Sequence, residues 1–225
     1  MKKKWEEVGG QINGNRITVE VNHFTKFAVF AADKVSEVPD TDTKPNINFS
    51  DIAGHWAEAN IKQAVNAGIV TGYADGTFKP GKTVTRAEFA VMLVNALKPK
   101  EEGADLAFAD AAKIASWAQR AVKQAIQAGI IKGYKDGSFR PDAQITRAEM
   151  AAMIANALDL TIQSNTETGF ADDKDIPVWA KGAVAAVKEL GLVQGKGAGK
   201  FAPNGVTTRA EAVTVILKML TKKSK

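Results

Sequence analysis

Cysteine is absent from this chain of 225 residues, and histidine occurs only twice, as His23 and His55. Those two scarcities remove much metal and nucleophile chemistry at once. No His/Cys cluster at metal-ligand spacing can form, and no Cys-His or Ser-His-Asp arrangement recurs along the chain. The compartment stays open, because a cysteine-free chain suits an oxidising exterior and many cytosolic settings alike. Long apolar runs are missing too: none approaches the ~18 residues of a membrane span, so no membrane insertion is expected. The start, Met1-Lys2-Lys3-Lys4-Trp5-Glu6, is basic like the opening of a signal peptide, but no apolar segment follows it. Such a start is expected of a chain that stays inside, or of a downstream piece of an exported chain carrying an added methionine.

A true excess of one charge sign is also lacking. The formal net charge is +5, but Lys2, Lys3, Lys4, Lys222, Lys223 and Lys225 sit at the two ends, and without them 24 basic residues face 25 acidic ones. A near-neutral body argues against a nucleic-acid-binding domain, and the end lysines read as solvated tails. Apolar residues, at 45%, suffice for a globular core.

What is present is an internal repeat. Phe49-Ser50-Asp51, Phe108-Ala109-Asp110 and Phe170-Ala171-Asp172 open three segments, and Trp56, Trp117 and Trp179 follow them. Next come Ala67-Gly68-Ile69, Ala128-Gly129-Ile130 and Leu190-Gly191-Leu192, and last Thr85-Arg86-Ala87-Glu88, Thr146-Arg147-Ala148-Glu149 and Thr208-Arg209-Ala210-Glu211. The period is about 61 residues. Each segment reads as helix, loop, helix. In the first, Trp56, Ile61, Ala64 and Val65 make an apolar stripe, and Gly68 stands where a helix-ending glycine belongs. Gly72-Tyr73-Ala74-Asp75-Gly76-Thr77-Phe78 carries an Asp-Gly turn between two aromatics, a very short hairpin. Thr85 and Glu88 have capping-box spacing at the start of the second helix. Its buried face is Phe89, Met92, Leu93, Ala96 and Leu97, matched by Met150, Met153, Ile154, Ala157 and Leu158, then by Ala212, Val215, Ile216, Met219 and Leu220.

The expected organisation is therefore mainly α. Residues 1–32 end an upstream β domain, with a strand at Arg16–Val21, another around Phe24–Phe30 and a turn at Asn13-Gly14. Residues 33–48 form a polar linker, and repeats span 49–107, 108–169 and 170–225, the last with a basic tail.

The ordered series Phe-Ser/Ala-Asp, Trp-Ala, Gly-Ile/Leu, Gly-Tyr-x-Asp-Gly-x-Phe-x-Pro and Thr-Arg-Ala-Glu resembles the S-layer homology domain family, over residues 49 to about 220. The resemblance implies a pseudo-threefold spindle with short strands in its loops and one helix per repeat in a central bundle. It implies location at the cell wall or S-layer, outside the cell. It also implies non-covalent anchoring through a pyruvylated secondary cell wall polysaccharide, held in grooves between repeats, with self-association in a surface layer open to such a module. No enzymatic activity, catalytic residue, metal or cofactor is expected. The glycine- and lysine-rich Gly195–Lys200 loop lacks the order of a phosphate-binding loop, and Asp75 and Asp136 are isolated turn carboxylates.

A pyruvyl ketal offers one fixed carboxylate on a hydroxyl-rich ring. Arg86, Arg147 and Arg209 each follow an N-cap threonine, where open helix N–H groups and a planar guanidinium suit a carboxylate. Position alone leaves each arginine between that role and pairing with a nearby acid; the resemblance favours the ligand. Tyr73 and Tyr134 are candidates to flank a sugar ring, and Gly72 and Gly133 either admit a ligand close to the backbone or supply positive φ. Thr85 and Thr146 complete the candidate set, although the capping box gives them a structural task. The tryptophans are expected in the core rather than stacked on sugar. Repeat three has Gly195-Lys196-Gly197-Ala198-Gly199-Lys200-Phe201 in place of the tyrosine- and aspartate-bearing loop, so unequal sites are expected. The competing reading is a helical-repeat protein–protein scaffold within the surface layer.

Overall fold

The computed structural model describes residues 11–13, 16–18, 48–163 and 166–223. The chain divides into two compact units, Met1–Asp42 and Thr43–Lys225. In the first, strands β1 (Gln11–Asn13) and β2 (Arg16–Thr18) pair antiparallel, with Asn13 opposite Arg16 and Gln11 opposite Thr18. The continuation of the expected strand to Val21, the strand around Phe24–Phe30 and all but the last residue of the 33–48 linker lie outside the described residues.

The described residues of the second unit hold six α-helices: α1 (Glu58–Asn66), α2 (Arg86–Leu97), α3 (Ser116–Gln127), α4 (Arg147–Ala157), α5 (Val178–Glu189) and α6 (Arg209–Lys223). Local chemistry sets their ends. Thr85 accepts from the Glu88 N–H while the Glu88 carboxylate accepts from the Thr85 N–H, and the same reciprocal pair caps α4 through Thr146 and Glu149 and α6 through Thr208 and Glu211. Two otherwise unpaired donors are thereby satisfied at each start. Gly68, Gly129 and Gly191 follow the C-caps of α1, α3 and α5 with φ of 71°, 68° and 71°, the left-handed conformation that glycine adopts without strain.

Helices α2, α4 and α6 are buried on most sides, which explains their nearly continuous apolar sequence. The first helix of each repeat packs on the second helix of the repeat before it: α3 on α2, α5 on α4, and α1 on α6. The apolar stripes of α1, α3 and α5 differ from expectation in one respect. Trp56, Trp117 and Trp179 are 64%, 59% and 60% exposed, and the adjoining Ala57, Ala118 and Ala180 take the buried places. A helix that approaches its neighbour at a small residue leaves no room for an indole on that face, so the indoles turn outward.

Between repeats the backbone closes on itself. The Val84 N–H donates to Thr207 O, that of Thr207 to Ile145 O, and that of Ile145 back to Val84 O, each at 3.0 Å. Val84, Ile145 and Thr207 are fully buried, so this ring is dry. The short strands expected in the loops are thus single isolated bridges, Thr83–Thr208, Thr85–Gln144 and Thr146–Val206, because each pairing ends where the next helix begins. Within each repeat the opening Phe-x-Asp motif latches the loop. Asp51 accepts from the Phe78 and Lys79 amides, Asp110 from Phe139 and Arg140, and Asp172 from Phe201 and Ala202, at 2.7–2.8 Å. The second amide of each pair belongs to a left-handed residue, with φ of 57°, 58° and 57°. These carboxylates offset part of the cost of that conformation.

Two outcomes are expected. Burial pushes the Asp51, Asp110 and Asp172 carboxyls up, but their paired backbone amides together outweigh it and hold all three below the usual value. A carboxyl with a lower pKa folded than unfolded takes up protons on unfolding. Its stabilisation is therefore complete above the unfolded value of about 3.9 and is lost as pH falls through the folded value. Asp51→Asn/Asp110→Asn/Asp172→Asn should lower the urea midpoint at neutral pH and flatten its fall under acid. Second, a chain ending at residue 169 leaves α1 without α6 and the backbone ring open. Calorimetry should find its cooperative transition gone, rather than a two-repeat transition at nearly the original temperature.

Candidate ligand site at the repeat junctions

Arg86, Arg147 and Arg209 do stand at the first position of α2, α4 and α6, but they are 5%, 5% and 9% exposed. Each reaches into the following repeat. Arg86 Nε donates to Phe139 O at 2.9 Å, Arg147 Nε to Phe201 O at 2.8 Å, and Arg209 Nε to Phe78 O at 2.9 Å, so the third repeat reaches the first. Each guanidinium also lies over the ring of the same phenylalanine, at 5.2, 4.8 and 4.5 Å. Nη2 of Arg147 and Arg209 donates to Gln194 O and Thr71 O, both at 2.8 Å. Burial pushes the Arg147 pKa down, from a starting value high enough that the group keeps its charge.

The helix starts are not open, which corrects the expectation that a carboxylate would meet free N–H groups there. The Arg86 and Ala87 amides donate to Ala143 O and Pro141 O, those of Arg147 and Ala148 to Gly205 O and Pro203 O, and those of Arg209 and Ala210 to Lys82 O and Pro80 O. The capping threonines occupy the third amide of each turn. An anion at these junctions has side chains to meet, not helix amides.

Those side chains differ. Where repeat three meets repeat one, Tyr73 is flanked by Lys79, Lys82 and Arg209, 4.4, 5.1 and 4.9 Å from its ring centre. Lys82 Nζ donates to the Tyr73 hydroxyl at 3.0 Å, a bond that, with a smaller contribution from the more distant Glu88, raises the lysine's pKa; among the described residues no carboxylate forms an ion pair with it. Lys79 pairs with Asp75 at 2.9 Å; Asp75 is held down at about 2 by the Thr77 hydroxyl first and Lys79 next. Where repeat one meets repeat two, Tyr134 lies between Arg86 and Arg140, at 4.6 and 3.9 Å, and its hydroxyl donates to Glu149. Burial and then that bond push Tyr134 up to about 12. Glu149 also stands 3.4 Å from Arg86, so this junction already holds a carboxylate against its arginine. Where repeat two meets repeat three, Lys196 replaces the tyrosine and pairs with Glu211 at 2.5 Å.

Of the two roles expected of Gly72 and Gly133, the supply of positive φ is not the one they fill. Their φ is not positive, and a Cβ on either would overlap the ring of Phe49 or Phe108. They are glycines because the opening phenylalanine packs there, against Phe78 or Phe139 at 5.7 and 5.4 Å between ring centres. Thr85 and Thr146 are the capping residues already described. Lys82 escaped the sequence reading. Ala143 and Gly205 hold its position in the other repeats, so aligning the repeats for what differs, rather than for what recurs, would have found it.

The fold and these junctions define a class of module: tandem helical repeats locked by cross-repeat arginines, with a charged or aromatic rim at each junction. Among the described residues there is no group of three or more His, Cys, Asp or Glu able to hold a metal, and no helix long and apolar enough to cross a membrane. The S-layer homology domain model matches residues 48–90, 107–151 and 169–213, and the chain belongs to that family. It is 38% identical to an amylopullulanase of Thermoanaerobacterium thermosulfurigenes over 97% of this chain and 11% of that protein. It is 34% identical to S-layer protein EA1 of Bacillus anthracis over 75% of this chain and 20% of that one. With the cellulosome-anchoring protein of Acetivibrio thermocellus it shares 39% identity over 51% and 26%. The chain thus spans about a tenth to a quarter of the length of these curated relatives.

Arg147→Ala or Arg209→Ala leaves two carbonyls without their donors, and should lower folding stability by about 1–3 kcal/mol for each one buried. Lysine, with no planar fork, should restore only part of this. Urea denaturation checks it; a change within ~0.5 kcal/mol, the ordinary surface value, would contradict a locking role.

Proposed function

We propose that this chain anchors a surface protein non-covalently to the bacterial cell wall, outside the cell, by binding pyruvylated secondary cell wall polysaccharide in grooves between its repeats. The observation that carries the reading is the junction of repeats three and one: an arginine, a tyrosine ring and two lysines converge there, and one lysine has no acidic partner. Family membership and the named relatives, among them S-layer and cellulosome-anchoring proteins, support surface attachment. The cyclic packing of helices and loops supports a pseudo-threefold spindle with α2, α4 and α6 at its centre. Residues 49–107, 108–169 and 170–225 are its three sectors, following a linker and the end of an upstream β domain.

In this reading the ketal carboxylate lies between Lys82 and the Nη1 edge of Arg209, which makes no hydrogen bond among the described residues, while the sugar ring borders Tyr73. Lys82 keeps two unused donors and Arg209 at least one, so the carboxylate is met by charge-assisted hydrogen bonds. The other junctions bind more weakly, for different reasons. At the one facing Tyr134, Glu149 repels an incoming carboxylate; at the one facing Lys196, Glu211 already holds the lysine. Two or three unequal contacts on one polymer then add through effective concentration. The scaffold alternative draws support from the Arg86–Glu149 pair and from the exposed Trp56, Val178 and Trp179, which offer apolar surface to a protein partner.

Calorimetry with a pyruvylated N-acetylmannosamine glycoside, beside the same sugar without pyruvate, tests the reading. Binding should need the pyruvate, and Lys82→Met should weaken it about tenfold or more, the worth of one charged hydrogen bond. Lys82 is exposed, so this variant folds normally. Absence of binding to either sugar, with concentration-dependent self-association of the folded protein, would move the scaffold ahead.

A further inference from the structure

The exposed tryptophans have no part in the junctions just described, and one of them lines an open groove of about 520 Å³, within the range of about 300–1,000 Å³ typical of small-ligand sites. The groove runs between α2 and α3. Trp117, Arg120 and Gln124 line it from α3, Asn95 from α2, and Lys98 and Pro99 from the segment just after α2. Lys98 and Arg120 are exposed and form no ion pair among the described residues, and no carboxylate is among the residues lining the groove. Its wall is held in place: buried Gln124 donates to Glu101 O at 2.7 Å, and Ala104 N–H donates to Lys123 O at 3.1 Å, fixing the segment that follows α2. Asn95 spends its amide N–H on Ile69 O at 3.2 Å, leaving its side-chain oxygen for a hydroxyl donor.

The combination occurs at this junction alone. The positions of Lys98 and Arg120 are Asp159 and Gly182 at the next junction, where a Cβ at Gly182 would overlap Ile162 and Gln163, so the segment that follows α4 fills that space. At the remaining junction they are Thr221 and Ala59.

We infer that this groove is a second saccharide subsite, specific for an acidic sugar unit, with the ring on the Trp117 indole and the anionic group between Lys98 and Arg120. A flat, exposed indole suits the apolar face of a pyranose, two unpaired cations suit its charge, and the volume suits one or two rings rather than a folded partner. The inference rests on the wall-polysaccharide reading and extends it: the subsite would take a further acidic unit of the polymer, away from the Tyr73 and Lys82 site.

Nuclear magnetic resonance titration resolves the two places in one experiment. The probes are the pyruvylated N-acetylmannosamine glycoside and methyl β-glucuronide, with methyl β-glucoside as the uncharged control and hexaglutamate as the acidic peptide. At least one acidic sugar should shift the Trp117 indole N–H, the glucoside should shift it far less, and Lys98→Ala/Arg120→Ala should weaken that binding about tenfold or more. Trp117→Ala should abolish it without changing the Tyr73 signals. If neither acidic sugar moves Trp117 while the pyruvylated one moves Tyr73, the subsite is wrong and the anchoring reading stands. If Trp117 responds to sugar and Tyr73 does not, the primary site is wrong. A Trp117 response to hexaglutamate alone would make the groove a peptide site and overturn the saccharide assignment.

Discussion

Each repeat opens its second helix by giving its first two amides, and the side chain of its first residue, to the loop of the next repeat. The rest of the unit follows from this exchange. No repeat completes its own hydrogen bonding, so none is a domain, and three are needed because the third returns to the first. The arginine fork suits the arrangement: Arg147 and Arg209 each satisfy two carbonyls through Nε and Nη2 while lying over a phenylalanine ring, and Arg86 satisfies one and faces Glu149. The buried guanidinium is tolerated because its hydrogen bonds and the facing ring replace water.

The same constraint shapes the candidate site. An arginine committed to locking two repeats has only part of its fork left for a ligand, so discrimination passes to the rim. There the repeats have diverged: tyrosine with a lysine on its hydroxyl at one junction, tyrosine with a facing glutamate at the second, and a lysine–glutamate pair at the third. A common frame with unequal rims is a natural outcome when the frame must be kept and the rim need not be.

Much of this was legible in the residues. The repeat period, the capping boxes, the glycine helix ends and the mainly α class all came from local chemistry, which spacing records directly. The Asp-Gly turn was legible for the same reason: the Tyr73 and Tyr134 amides donate to Thr77 O and Ser138 O across it. The recurrence of arginine after the capping threonine was visible, but its partners were not, since they lie 47 to 138 residues away in sequence. Trp56, Trp117 and Trp179 were misread because a helical stripe shows which residues share a face, not how closely a neighbour approaches it.

By itself, then, the sequence determined the elements and their ends, the threefold repetition and the family. Each of these depends on interactions a few residues apart or on pattern alone. Only the tertiary structure decided that first helices pack on the preceding repeat, that the arginines are locks with a spare edge, that Gly72 and Gly133 make room for phenylalanine, and that Lys82 stands without an acidic partner. Those facts depend on which atoms meet across a closed ring of three repeats, and no local spacing encodes how such a ring closes.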